Sequence, residues 1–245
     1  MEIFNITLEF DHEVFRKSIE KCVADNGKGY VCVVDGNVLS VTCKDSEYRK
    51  VVKNALVNTC DSSYIARMAS SIYGEKFEAL SGPRIFEEYI GKPYRQLLLG
   101  NTEETYKKIA KKLCQNGDHA ENLEYIPIPF TKVEEFDYEG IATEINKIKP
   151  DLIWVSLGAP KQERFMGRML PYLEQGVMFG IGAAFNYYVG SIREPKLQIG
   201  PQKLIWLQRI FEEPKKQIRR CSNFLTVIPK VRREEIRRVE RMQKK

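Results

Sequence analysis

An apolar run, Leu152 to Leu157, stops at Gly158-Ala159-Pro160 and gives way to Lys161-Gln162-Glu163-Arg164 and a helical pattern through Leu173. That is a strand, a tight turn and a helix, with Pro160 at the first helical position, where its missing N–H costs nothing. The unit recurs along the chain. Met1 to Phe10 reads as a first strand, and Asp11 as the N-cap of a helix placing Val14, Phe15, Ile19, Cys22 and Val23 on one face. Tyr30 to Val34, Gln96 to Leu99, Leu123 to Ile128 and Val177 to Ile181 read as buried strands. Between them lie helical patterns over 47–56, 64–72, 106–113 and 138–148, with Asn101 or Thr102 capping the third. Alternating strands and helices with short connections predict an α/β fold, a doubly wound, mostly parallel, Rossmann-like sheet.

Composition narrows the classes. At 245 residues and 43% apolar, the chain can build one sizeable core. No early run has a signal-peptide core and no stretch approaches the roughly 20 apolar residues that span a bilayer, so a soluble, cytoplasmic protein is expected. Cys22, Cys32, Cys43, Cys60, Cys114 and Cys221 are scattered without a CxxC pair and accompany only His12 and His119, so neither a zinc site nor a disulfide framework is expected. Charge is uneven: Pro214 to Lys245 holds twelve Lys or Arg against three Glu, a net of +9, and the other residues carry −3 of the total +6. Residues 191–245 are therefore read as a basic helical appendage, interrupted at Pro229, on a body of residues 1–190. Such a tail suits anionic lipid, an acidic partner or nucleic acid, and charge alone does not choose. Lys107, Lys108, Lys111 and Lys112 read as a solvated helix face.

In open α/β sheets the turns after strand carboxyl ends line the ligand crevice, and helix starts favour anions. Gly158, Pro160, Lys161 and Gln162 are thus candidates for binding an anionic group, beside the plainer reading of an ordinary strand-to-helix turn. Gly182-Ala183-Ala184 allows close approach of a ligand or of a helix to the sheet. Asp61, just before a helical pattern, reads as an N-cap.

The segments GAPKQERFM, GIGAAFNYYVGSIREP and LIWLQRIFEEPKKQIRR occur in that order and together resemble the hallmark region of the bacterial WecG/TagA/CpsF glycosyltransferases. The likeness is close from Asp151 to Arg220, present from about Asp45 to Phe86 and weak over the first thirty residues. It implies roles. Cys60-Asp61-Ser62 aligns with a family Ala-Asp-Gly, making Asp61 the candidate general base. Gln162 carries over directly as a catalytic residue whose amide would donate to and accept from a sugar or phosphate at the helix start, with Gly158, Pro160 and Lys161 beside it. Asn37 falls in a family Thr-Pro-Asn, with Asp35 in place of the Thr. Arg84 lies near a missing family arginine, where this chain has Ala79. Asn186 stands where the family has Asp and would read a base edge, and Phe130 matches a loop aromatic that would stack on the base or else sit in the core. Arg209, Arg219 and Arg220 match the appendage pattern, and with Lys216, which lies between them, would hold a diphosphate leaving group, Arg209 as a catalytic residue, in the absence of an Asp-x-Asp metal motif.

The resemblance therefore implies a metal-independent, inverting glycosyltransferase with no cofactor. It would move an N-acetylhexosamine or related hexose from a UDP-sugar to a polyprenyl-diphosphate-linked saccharide, in capsule or exopolysaccharide synthesis. Its tail would touch the inner face of the cytoplasmic membrane, nucleic acid would not be a partner, and an oligomer stays open. Two other classes remain from the residues: a nucleic-acid binder using the basic tail, and a non-catalytic sugar-nucleotide-binding subunit, given the departures at Asp35, Ala79 and Asn186.

Overall fold

The computed structural model describes residues 1–192, 198–199, 202–203 and 214–244, with side chains described through 192 and from 217. Met1 to Phe10 is not one strand. Its apolar residues Ile3, Phe4, Ile6 and Leu8 are all buried, which strict alternation cannot achieve, and the chain instead folds as a small hairpin. The hairpin pairs β1 (Glu2–Ile3) with β2 (Ile6–Thr7) across Phe4 and Asn5, both in the left-handed region at φ 56° and 62°. Asp11 caps α1 (His12–Ala24) as expected, accepting from the Glu13 and Val14 amides.

Next come β3 (Lys28–Val34), α2 (Gly36–Lys44), α3 (Ser46–Lys53), β4 (Val57–Cys60), α4 (Ser63–Tyr73) and α5 (Gly82–Ile90). These are followed by β5 (Gln96–Gly100), α6 (Glu103–Asn116), β6 (Leu123–Ile126), α7 (Tyr138–Ile148) and β7 (Leu152–Ser156). The rest comprises α8 (Lys161–Met169), β8 (Gly176–Gly180), α9 (Ala184–Tyr188), the paired β9 (Gln198–Ile199) and β10 (Gln202–Lys203), and α10 (Pro214–Gln243). Thr102 caps α6. The sequence left α2 and α5 unassigned.

Six strands form a parallel sheet in the order β4-β3-β8-β7-β5-β6, so the doubly wound α/β class holds. Alternation sorts each strand between two cores. Tyr30, Cys32 and Val34 of β3 face a layer built from α2, α3, α4, α7, α8 and α10, while Val31 and Val33 face α1, α5, α6 and α9. On the second side Trp154 is fully buried, and its Nε1–H donates to Gln96 Oε1 at 2.8 Å. That leaves no orphan indole donor in the core. Lys112 is not merely solvated: its Nζ donates to the Tyr188 carbonyl at 2.8 Å and lies 4.0 Å from that ring's centre, tying α6 to α9.

The basic tail carries a buried stripe. Val227, Ile228 and Val231 of α10 join the core beneath α2 and α4, and Pro229, exposed on the opposite side, does not break the helix. Burial of the flanking residues outweighs the one lost backbone bond. Farther along, buried Glu235 accepts from Phe4 N at 2.9 Å and Arg238 at 3.2 Å, and also from the Tyr73 hydroxyl. Arg238 in turn donates to the Glu2 carbonyl at 2.7 Å, closing α10 over the N-terminal hairpin.

Phe224 of α10 presses on Gly36, where a Cβ would come within 2.6 Å of the ring. Gly36→Ala gains up to about 1 kcal/mol of helix propensity but overpacks by about 1–3 kcal/mol. Thermal melting is expected to show a lower Tm, and a Tm equal to or above wild type would overturn this contact as the reason for the glycine.

Candidate active site

The carboxyl ends of β4, β3, β8 and β7 open onto one cavity of about 500 Å³. This is the size of a small-molecule site, at the place where parallel sheets keep theirs. Asp35, Asp61, Gly82, Gly158, Gln162, Gly182, Asn186, Tyr187 and Arg220 are among its lining residues.

Asp61 stands at the end of β4. The plain N-cap role falls to its neighbour, because Ser62 Oγ accepts from the Ile65 amide that opens α4. Asp61 turns the other way, and its Oδ1 accepts from the Gly82 amide at the start of α5 at 3.0 Å. A carboxylate is thus fixed on the wall of the cavity beside a helix N-terminus.

Gly158 takes φ 76°, so glycine serves the turn after β7. Pro160 caps α8 instead of being its first residue, and α8 begins at Lys161. Gln162, 4% exposed, spends its whole amide inside the protein. Oε1 accepts from the Gly158 amide at 3.0 Å and the Gly182 amide at 3.1 Å, while Nε2 donates to the Gly180 carbonyl and to Glu163 Oε1, both at 2.9 Å. Glu163 is fully buried, and its other oxygen accepts from the Tyr48 hydroxyl at 2.9 Å. Burial pushes the Glu163 carboxyl up to about 7, with Asp35 adding to the rise and the bonds from Gln162 and Tyr48 opposing it.

Asn186 lines the cavity and its Oδ1 accepts from Asn101 Nδ2 at 3.4 Å. Arg220 reaches the site from α10 and donates to the Ala159 carbonyl at 3.1 Å, where Asn37 Nδ2 also approaches at 3.5 Å. Asn37 therefore sits at the rim, on the turn.

Other sequence candidates lie apart from the cavity. Phe130 is fully exposed, so it is not a core aromatic, and with Phe136 it flanks Lys161 Nζ, at 5.1 and 4.9 Å from the ring centres. That ammonium also donates to the Thr131 carbonyl, so Lys161 anchors the loop after β6. Arg84 and Arg219 are exposed and outside the lining residues. Arg209 lies outside the described residues, as does the side chain of Lys216, which is itself within α10. The sequence reading missed Glu163 and Tyr48, since one buried carboxylate in a polar first turn looks like any solvated Glu. It also missed Asn101, whose φ of 65° and tie to Asn186 were hidden behind a capping role. Among the described residues no group of three His, Cys, Asp or Glu side chains is placed to hold a metal ion.

The family model for the Glycosyl transferase WecG/TagA/CpsF family matches residues 1–241. The chain belongs to this family. It is a glycosyltransferase, of the kind that works in polysaccharide synthesis. Relatives described as N-acetylglucosaminyldiphosphoundecaprenol N-acetyl-beta-D-mannosaminyltransferase occur in Bacillus subtilis (strain 168), 22% identical over 201 residues, covering 80% of this chain and 77% of the relative. Another, from Staphylococcus aureus (strain MW2), is 20% identical over 241 residues and covers 93% and 92%. The family match takes in the first thirty residues and most of α10. No described helix is long and apolar enough to cross a membrane.

Proposed function

We propose that this glycosyltransferase moves an N-acetylhexosamine or related hexose from UDP to a hydroxyl of a polyprenyl-diphosphate-linked saccharide, with inversion. In this reading the Asp61 carboxylate takes the acceptor proton, the acceptor oxygen bonds to the anomeric carbon, and the bond from that carbon to UDP breaks. One displacement needs one base, and the departing diphosphate needs positive charge, which Arg220 supplies with Arg209 and Lys216 of the same appendage, without a metal. Asn186 reads the base edge.

The observation that carries this reading is that one cavity is lined both by Asp61 and by Arg220, brought by α10. The names of the relatives favour N-acetylglucosaminyl-diphosphoundecaprenol as acceptor and N-acetylmannosamine as the sugar moved. An amphipathic surface supports work at a membrane face. Ile218 and Leu225 of α10 are 57% and 70% exposed among exposed arginines, and Tyr64 packs edge-on to Phe224 at 5.6 Å.

The test is mass spectrometry of products from a UDP-sugar panel incubated with a synthetic polyprenyl-diphosphate N-acetylglucosamine, with and without EDTA. A product heavier by one N-acetylhexosamine in both arms is expected. No product from any donor would overturn the transfer reading, and a product lost with EDTA would overturn the metal-free one.

A further inference from the structure

Gln162 is the family-motif side chain on the floor of the cavity, yet none of its hydrogen-bonding capacity points at a ligand. An amide has two acceptor sites and two N–H donors, and all four are matched here: Gly158 and Gly182 amides on the oxygen, the Gly180 carbonyl and Glu163 carboxylate on the nitrogen. The reverse orientation would set the NH2 against two backbone donors and the carbonyl against a backbone oxygen and a carboxylate. The buried carboxylate fixes which way the amide lies.

That carboxylate is itself held from behind. Tyr48, fully buried on α3, donates to Glu163 Oε2 at 2.9 Å. Asp35 at the end of β3 and buried Cys32 are the other titratable groups that act on it, while the neighbouring Arg164 is committed to Asp45 and lies over the Tyr48 ring. The space is reserved as well, since a Cβ on Gly180 would come within 3.1 Å of Gln162 Nε2 and 2.7 Å of Met166 Cε.

We infer that Gln162 is a positioning residue, whose amide, oriented by the buried Tyr48–Glu163 pair, braces the turns after β7 and β8 that wall the cavity. Gly158 and Gly182 are both in left-handed conformations, at φ 76° and 55°, and both lend their N–H to the same oxygen. The two turns therefore hold their separation through one atom. Tyr48 and Glu163 influence catalysis without touching substrate.

The kinetic part rests on the glycosyl-transfer reading, and a double-mutant cycle with a second, reaction-independent readout tests the inference. Tyr48→Phe is expected to lower kcat/KM about tenfold and Gln162→Ala about a hundredfold, as for a misplacement near 1 Å. In the Gln162→Ala background Tyr48→Phe is expected to change kcat/KM by less than about twofold, because the residue it acts through is gone. Multiplying effects, or a silent Tyr48→Phe, would overturn the inference. In 15N-glycine-labelled protein the Gly158 and Gly182 amide signals should move in Tyr48→Phe, and unmoved signals would overturn it even if no donor sugar gives product. Should Tyr48→Phe not fold, Glu163→Asp, which withdraws the carboxylate by one methylene, takes its place in the cycle, and the same results support or overturn the inference.

Discussion

Asp61→Asn is expected to cut kcat by about 10²- to 10⁴-fold, the contribution typical of a general base, while UDP binding stays within a few-fold of wild type. The substitution suits the question because the amide oxygen can still accept from Gly82 N, now 3.0 Å from Asp61 Oδ1, so the end of β4 stays tied to α5. Ser62, not Asp61, caps α4, so helix stability is not at stake. What disappears is the ability to take a proton from the acceptor hydroxyl. Product formation under saturating donor and acceptor, with UDP affinity by calorimetry, gives the answer. Turnover within about threefold of wild type would remove Asp61 from the mechanism, and a loss of UDP affinity equal to the loss of rate would make it a binding residue.

Much of the scaffold was legible because its signals are local. Buried parallel strands such as Leu152 to Ser156 and Gly176 to Gly180 read as short apolar runs, and Asp11 and Thr102 cap helices at the positions their side chains favour. The hairpin at the N-terminus was not legible, since its turn depends on Phe4 and Asn5 both adopting positive φ against a partner, Glu235, that lies 231 residues away from Phe4. Nor was α2, whose buried face mixes Val38 and Leu39 with Ser40 and Thr42. In α10 the arginines dominated the pattern and concealed Val227, Ile228 and Val231, which a three- and four-residue spacing does contain.

The site shows the same division. Motif position brought Asp61, Gly158, Gln162, Asn186 and Arg220 onto one cavity. Motif position did not reveal orientation: Gln162 looks inward, Lys161 turns to the loop after β6, and Phe130 stands in solvent. A sequence names which side chains lie near a strand end, whereas the direction each takes is set by partners distant in the chain.

Glu163 provides the clearest pH-dependent case. Its folded-state pKa is about 7 against 4.5 for an ordinary Glu, chiefly because burial penalises the charged form. A folded pKa above the unfolded one means the folded state holds this proton more tightly. The group's favourable contribution is fully present below about pH 4.5 and is lost as pH rises through about 7. Above that, the folded state carries an ionised buried carboxylate at a cost of about 3 kcal/mol, the free-energy equivalent of the gap between the two values. Glu163→Gln removes the ionisation while keeping the shape, its carbonyl accepting from Gln162 Nε2 and its amide donating to the Tyr48 oxygen. Denaturant unfolding at pH 4.5 and pH 8 is therefore expected to show the variant gaining about 3 kcal/mol on wild type between the two conditions. Cys32 and Tyr48 do not blur the comparison, since burial pushes both well above their ordinary ranges and neither titrates in this window. A difference that is flat between the two pH values, or that grows in favour of wild type, would show that Glu163 is ionised in the folded protein at no cost.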